Sequence, residues 1–513
     1  MKNQTIAYLC AEFALDSALP TYAGGLGVLA GDIVMEANLQ NTNLIAIGLF
    51  YRLGYTGDNL TQAQTPQEHR LEKVATIKIP IEDHYISVRC WKKQQETIPV
   101  YFLDTFDSSN SETDRKITDI LYPSSSEIKL KQEIVLGIGA LKLLEALNIH
   151  PRIYHLNEGH SAFLVLGLIR HEMIEHKINF DQARDMVRQK VVFTNHTLLP
   201  AGNEVYSSLL VSSHLKKYSE QIQVPVDQLI APGLIPRSND FSLTLFCLRL
   251  AGRTNAVSHI HSQKAAGIWP HHPMLPITNG IFIPRWDRLL SSDPANIWTA
   301  HQQCKKALLE YIAKQTGHQW PADVPLIGWA RRIVSYKRPT AILQDPNRLT
   351  TLNANFVFSG KTHSADETGL QLFNQMAGSI SSISKSAVFL PEYSLDLAAL
   401  LTAGCDVWLN TPVVGFEACG TSGMKACLNG VLPLTTNDGW IGEVDLSNIG
   451  WLADDTDITG SLLSLLKDQI IPEYAIRPSW IRRQLAARQL IFDHFSTTHT
   501  LSEYQNLLYN IQS

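Results

Sequence analysis

Short apolar runs separated by stretches of helical spacing recur along almost the whole chain, and this alternation restricts the fold more than any other feature. "IAYLC" (6–10), "LIAIGLFY" (44–51), "IPVYFLD" (98–104), "IYHL" (153–156) and "VVFTNH" (191–196) read as buried strands. Between them Ile134, Ile138, Leu141 and Leu144 repeat at helical spacing, which predicts a helix over 128–147 that ends before Pro151. The scheme returns in the second half. "LIGWARRI" (326–333), "NFVFSG" (355–360), "AVFLPE" (387–392), "DVWLNT" (406–411) and "VLPLT" (431–435) are strands by the same criterion, and "SLDLAALLTAG" (394–404) fits a helix between two of them. Such alternation predicts an α/β fold, with parallel sheets carrying helices on both faces. A chain of 513 residues exceeds what one core usually holds, so two such units are expected, with the junction near 279–325 after "PITNGIFIPRWD". Open parallel sheets bind ligands beyond the carboxyl ends of their strands, and two facing sheets would put that site in the cleft between domains.

Composition narrows the class. The net charge is −5, without the basic excess of a general nucleic-acid binder. Seven cysteines, Cys10, Cys90, Cys247, Cys304, Cys405, Cys419 and Cys427, include no CxxC pair, which fits reduced thiols in the cytoplasm and neither a disulfide framework nor a zinc site. Glu12 interrupts the N-terminal apolar stretch before a signal-like run is complete. No run of about 18 apolar residues predicts a membrane span.

Several segments could carry chemistry. In "TYAGGLGVLAGD" (21–32), Gly24, Gly25 and Gly27 precede a helical run, where free amides attract anions; a tight turn is the plainer reading of a lone glycine cluster. "ARRIVSYKRP" (330–339) sets Arg331, Arg332, Lys337 and Arg338 in a loop after a strand, a place suited to a phosphate dianion, though four nearby cations are usually a solvated turn. His196, Glu158, His160 and Glu12 also follow strands, and each either lines a cleft or is satisfied internally. In "GTSGMKACLNG" (420–430), Lys425 lies among small residues. Lysine captures aldehydes, including that of pyridoxal phosphate, while Thr421, Ser422 and Gly423 offer hydroxyl and amide donors to a phosphate. A helix with one exposed lysine is the alternative.

Taken in order, "AEFALDSALPTYAGGLGVLAGD", "YHLNEGHSAF", "FTNHTLLPAG", "NAVSHIHS", "TNGIFIPRW", "RRIVSYKRP", "FSGKTHSADE", "VFLPEY" and "EACGTSGMKACLNG" resemble the alpha-glucan (glycogen, maltodextrin or starch) phosphorylases over most of the chain. The resemblance implies two Rossmann-like domains facing across a cleft, the GT-B-type glycosyltransferase architecture, with an N-terminal domain over 1–278, a C-terminal domain over 279–483 and a helix in 484–513 crossing back to the first. It implies reversible phosphorolysis of an alpha-1,4-glucan by inorganic phosphate, giving glucose 1-phosphate with anomeric retention. Lys425 is then the residue that forms the Schiff base with pyridoxal 5′-phosphate. Arg331, Thr421 and Ser422 would sit by the cofactor phosphate and Tyr393 beside the cofactor. Arg332 and Lys337 would hold the substrate phosphate, helped by the Gly25 amide in the Gly24–Gly25 turn. His196, Asn279, Glu417, Cys419 and Gly420 would contact the glucosyl unit, with Glu12 a supporting carboxylate. No metal is implied, and a homodimer stays open.

The sequence departs from the better-known members at Cys419, where they carry serine, and at Ser394, where they carry arginine. It is also shorter, which implies a form without their long N-terminal region and several insertions. Two other readings remain. A nucleotide-sugar-dependent retaining glycosyltransferase would place a carboxylate eight positions after Glu417, where Lys425 stands. A catalytically inactive glucan-binding relative would be expected to have lost Lys337 or Lys425.

Overall fold

The computed structural model describes residues 5–19, 21–55, 63–198, 203–289, 296–362 and 366–510. Parts of stretches named above lie outside these residues: 1–4, Pro20, 199–202 of "FTNHTLLPAG", 290–295 of the expected junction, 363–365 of "FSGKTHSADE", and 511–513.

The chain divides into two compact units. Unit 1 comprises Met1–Val257, Ser262–Ile277 and Leu501–Ser513; unit 2 comprises Ser258–His261 and Thr278–Thr500. Unit 1 contains strands β1 (Ile6–Leu9), β2 (Leu44–Leu49), β3 (Glu72–Ile81), β4 (His84–Gln95), β5 (Ile98–Asp104), β6 (Ile153–Asn157), β7 (Val191–Asn195), β8 (Val205–Ser207), β9 (Asp240–Ser242), β10 (Arg253–Ala256) and β11 (Leu275–Pro276). Nine of them form one sheet, in the order β11-β10-β7-β6-β1-β2-β5-β4-β3. Unit 2 contains β12 (Leu326–Ala330), β13 (Asn355–Ser359), β14 (Ala387–Leu390), β15 (Val407–Asn410), β16 (Leu432–Thr435) and β17 (Trp451–Leu452), in the order β14-β13-β12-β15-β16-β17.

The unit 2 sheet is parallel throughout. Its order is that of the doubly wound dinucleotide-binding fold, two strands to one side of the first and three to the other. Unit 1 departs from the all-parallel expectation at one edge, where β3, β4 and β5 run antiparallel. The cause is local: Glu82 takes a left-handed backbone (φ 56°) and turns the chain straight back, which a parallel pairing cannot do. The short strands follow from burial on both faces. In β1, Ala7 and Leu9 pack into the cluster that holds Ile134, Ile138 and Leu164, while Ile6 and Tyr8 pack on the other side with Leu29 and Ile33.

The helix expected over 128–147 runs Ser126–Ala146, started by the Ser125 hydroxyl, which accepts from Ile128 N at 3.3 Å. The helix expected over 394–404 runs Leu395–Gly404, and Ser394 is its cap, accepting from Leu397 N at 3.2 Å. The C-terminal segment does not stay in one unit. Helix Arg477–His494 belongs to unit 2, whereas Leu501, Tyr504, Leu508 and Tyr509 belong to the core of unit 1.

A buried charge cluster anchors the unit 2 sheet. Asp406, just before β15, lies 2.6 Å from Lys305 and 3.2 Å from His301, and accepts from Leu326 N at 2.8 Å. Burial opposes ionisation of Asp406, but Lys305 and His301 outweigh it and hold the carboxyl below its usual range. Removing one partner of a fully buried pair strands the other charge. Lys305→Met is therefore expected to lower the stability of unit 2 by about 3–5 kcal/mol in denaturant unfolding. Lys306→Ala, which removes only the exposed pair with Glu310, should change it by less than about 0.5 kcal/mol. Equal effects of the two would contradict this account.

Candidate functional site

In unit 2 the strand order reverses between β12 and β15, the kind of position beyond whose carboxyl ends open parallel sheets bind ligands. Arg331 is the first residue past β12. It is buried, and its guanidinium donates to Glu417 Oε2 at 3.3 Å, to Ser422 Oγ at 3.1 Å and to Asn410 Oδ1. Lys337, in the turn Ser335–Lys337, lies 3.0 Å from the same Glu417 carboxylate. Arg338 then adopts a left-handed backbone (φ 46°) and donates to the carbonyls of Thr411 (2.9 Å) and Pro412 (2.6 Å), tying the loop after β12 to the loop after β15. Burial works against ionisation of Glu417, but the charges of Lys337 and Arg331 prevail and hold it below the usual carboxylate range. Arg332 is exposed and makes no hydrogen bond or salt bridge among the described residues.

Lys425 lies on the short helix Ser422–Leu428. It is buried, with its ammonium 4.0 Å from the centre of the Trp286 ring. Asn429 holds both ends of this pair, donating to the carbonyls of Lys425 (2.8 Å) and Trp286 (2.9 Å). Thr421 occupies the cap position without a side-chain cap bond, and the Ser422 hydroxyl also accepts from Trp408 Nε1 at 3.2 Å. The small residues here are close-packed. A Cβ on Gly423 would lie 3.2 Å from the Trp440 ring, and one on Gly420 would lie 3.2 Å from the Glu417 carboxylate. Tyr393 follows β14; burial raises its hydroxyl to about 12, with Arg331 opposing. Asn279 donates to the carbonyl of Cys419 at 3.4 Å, so the main chain of Cys419 makes this contact and the serine-to-cysteine departure leaves it intact.

In unit 1 the order reverses between β1 and β6, and the residues past these strands again converge. Glu12, buried beyond β1, accepts from the amides of Ala23 (2.6 Å) and Gly24 (3.1 Å) and from the Tyr122 hydroxyl. The Tyr122 ring lies 6.0 Å from that of His160. Gly24 caps the helix Gly25–Leu39, and a Cβ on Gly24 or Gly25 would meet nothing within 4 Å, whereas one on Gly27 would collide with Glu12. Packing within the described residues therefore requires Gly27 but neither Gly24 nor Gly25, and the backbone at the latter two is open to approach. His196, past β7, has Nε2 at 2.6 Å from Asn157 Oδ1, and its amide donates to Glu158 at 2.8 Å.

The structure thus brings Arg331, Lys337, Glu417 and Ser422 into one network, joins Asn279 to Cys419, and joins Glu12 to Gly24. Lys425 lies against the Trp286 ring, donates its amide to the Thr421 carbonyl at 3.2 Å and accepts from Asn429 through its own carbonyl. Sequence reasoning did not single out Trp286, Asn410 or Asn429 in unit 2, nor Tyr122 or Asn157 in unit 1. Trp286 ends the quoted "TNGIFIPRW" and Asn410 ends β15, so position alone could have flagged these two. Tyr122 sits in an irregular stretch with no pattern to mark it.

Arg331 Nε and Asn279 Oδ1 are among several polar atoms of unit 2 that are buried without a hydrogen-bond partner among the described residues. Such groups are costly unless something completes them. All seven cysteines are free thiols. Carboxylate–histidine clusters occur at Glu82, Glu127 and His214 and at Glu172, Glu175 and His176; in the first, the Lys131 ammonium already lies 3.0 Å from Glu82 and 2.8 Å from Glu127. Among the described residues no helix is long and apolar enough to cross a membrane.

Residues 82–231 and 294–449 match the carbohydrate phosphorylase family. The chain is 32% identical to the maltodextrin phosphorylase of Thermococcus litoralis over 99% of its own length and 71% of that protein. It is 31% identical to the glycogen phosphorylase of Mycobacterium tuberculosis over 91% of its own length and 66% of that protein. An uncharacterized protein of Methanocaldococcus jannaschii is 30% identical over 98% of this chain and 99% of its own. The chain belongs to the carbohydrate phosphorylase family.

Glu158 gives unit 1 a pH signature. Burial lifts its carboxyl to about 8, against the amides of His196 and Gly159. A carboxyl raised on folding binds its proton more tightly when folded. Its stabilising effect is thus complete below the unfolded value of 4.5 and is lost as pH rises through about 8. Glu158→Gln is expected to remove a fall on the order of a few kcal/mol across this range. Unfolding of wild type and variant at stepped pH measures it, and identical slopes would rule it out.

Proposed function

We propose that this carbohydrate phosphorylase acts on alpha-1,4-glucans, releasing the terminal glucose as alpha-D-glucose 1-phosphate by attack of inorganic phosphate. The observation that carries the reading is the pairing of Arg331 and Lys337 on one carboxylate, Glu417, past the carboxyl ends of β12 and β15, with the adjacent Arg332 exposed. A phosphate dianion is the natural ligand of such a place. The maltodextrin and glycogen phosphorylases among the relatives support the choice of glucan.

The residues also fit pyridoxal 5′-phosphate. Lys425 is a buried amine lying on an aromatic ring, and the residues beside it are trimmed to hydroxyls and glycines. The unpartnered Nε of Arg331 and the amides at the start of Ser422–Leu428, which no side chain caps, are donors a phosphate would complete. We assign Lys425 to hold the cofactor, Arg331, Thr421 and Ser422 to its phosphate, and Tyr393 to its flank. When bound, the cofactor supplies a phosphate whose second ionisation, near 6, lets it exchange protons at neutral pH.

The remaining work belongs to the chain. Arg332 and Lys337 bind and orient inorganic phosphate, placing its charge where positive charge develops on the sugar as the C1–O bond opens. The proton of the phosphate passes to the leaving glucan oxygen, and a phosphate oxygen forms the new bond to C1. Glu417 balances Lys337 and Arg331 and keeps them from collapsing onto other acceptors. Its neighbours Cys419, Gly420 and Asn279 are assigned to the glucosyl unit. In unit 1, His196, Gly24 and Gly25 are assigned to substrate, with Glu12 ordering the glycine turn. Free thiols suit a reducing cytoplasm.

Incubation with maltodextrin and inorganic phosphate, with and without added pyridoxal phosphate, tests the reading through release of glucose 1-phosphate. Lys425→Ala is expected to lose the bound cofactor and its near-ultraviolet absorbance. Lys337→Ala should keep that absorbance and lose turnover by roughly 10²–10³-fold. Near-normal turnover in Lys337→Ala would overturn the phosphate assignment, and binding of glucan with no product at any chain length would identify an inactive relative.

A further inference from the structure

The backbone that presents Glu417 is held by one side chain. Asp438 Oδ2 accepts from three successive amides, Gly415 N at 2.9 Å, Phe416 N at 3.1 Å and Glu417 N at 2.8 Å. Its other oxygen, Oδ1, accepts from Gly439 N at 2.9 Å. Asp438 lies just past β16, the strand paired with β15, and is 1% exposed. The backbone around it is adapted to the arrangement. Gly415 takes φ 90° and Gly439 φ 58°, and a Cβ on Gly439 would approach the Cα of Cys419 to 3.2 Å. Consecutive amides turned inward form a nest for an anion, and here the protein's own carboxylate fills it. With its amide so occupied, Glu417 directs its side chain to Arg331 and Lys337.

We infer that Asp438 is a positioning residue: by clamping the Gly415–Glu417 backbone it fixes the Glu417 carboxylate, and through it the places where Arg331 and Lys337 hold their charges for phosphate. This rests on the phosphorolytic reading of the same site. Burial raises the Asp438 carboxyl to about 6 in spite of its amide donors, and Glu417 is the ionisable group that faces it, so its anion is retained at a cost that a structural filler would not require.

A double-mutant cycle separates positioning from scaffolding. Asp438→Asn keeps the shape and exchanges one acceptor for a donor. Its turnover is expected to fall about 10–100-fold, with the folded state retained in a thermal melt. Glu417→Gln should fall comparably. If Asp438 acts through Glu417, the double variant is no slower than the slower single variant by more than about threefold. Losses that multiply would overturn the inference, as would Asp438→Asn turning over at the wild-type rate. Should Asp438→Asn fail to fold, Asp438→Glu, which keeps the charge and shifts it by one methylene, carries the same cycle. If the wild type releases no glucose 1-phosphate, the phosphorolytic reading fails separately. The cycle is then read in the calorimetric Kd for inorganic phosphate, where non-additivity is again expected and multiplying effects reject the clamp.

Discussion

The carboxylate of Glu417, shared between Arg331 and Lys337, organises the charged strand ends of unit 2. Both cations leave the same strand end, and without a common counter-charge they would repel each other and turn toward solvent or toward nearby carbonyls. The carboxylate keeps them side by side, while Asn410 and Ser422 orient the Arg331 fork. The cluster is thereby ordered before any anionic ligand arrives. Preorganisation of this kind is worth more than the sum of the contacts, because no reorganisation is required when charge develops.

The sheet explains why these residues meet at all. β12 and β15 are neighbours in space, yet 79 positions separate Arg331 from Asn410, because β13 and β14 wind outward first. Doubly wound order makes the first and fourth strands adjacent, and the loops that follow them diverge at that seam. The same logic brings Glu12 and the Glu158–His160 turn together at the β1–β6 seam of unit 1.

Much of this was legible in the sequence, for identifiable reasons. Strands buried on both faces must be continuous apolar runs, so "LIGWA" and "DVWLN" could be read directly, and cations immediately past such a run could be placed at a strand end. The β3–β4 hairpin was not read, because its alternation is blurred by lysines and its turn relies on Glu82 in a left-handed conformation rather than on a glycine. Nor did periodicity expose Trp286, Asn429 or Asp438. These residues act through contacts with segments distant in the chain, and nothing local distinguishes an aspartate that caps a turn from one that receives three amides of another loop. Ser394 is an instructive case: read as the loss of an arginine, it is the cap of its helix.

The C-terminal segment has a consequence for how the polypeptide is assembled. The Tyr509 hydroxyl lies 2.7 Å from His155 Nδ1, 354 residues away, and Tyr504, Leu508 and Tyr509 fill one face of the unit 1 core. During synthesis the first half of the chain emerges early but lacks this wedge, while unit 2 is translated in between. The earlier-made unit must wait with an apolar groove unfilled until the later one has been produced, so the nascent protein is most exposed to aggregation and to chaperone capture in the interval before its last aromatic residues leave the ribosome.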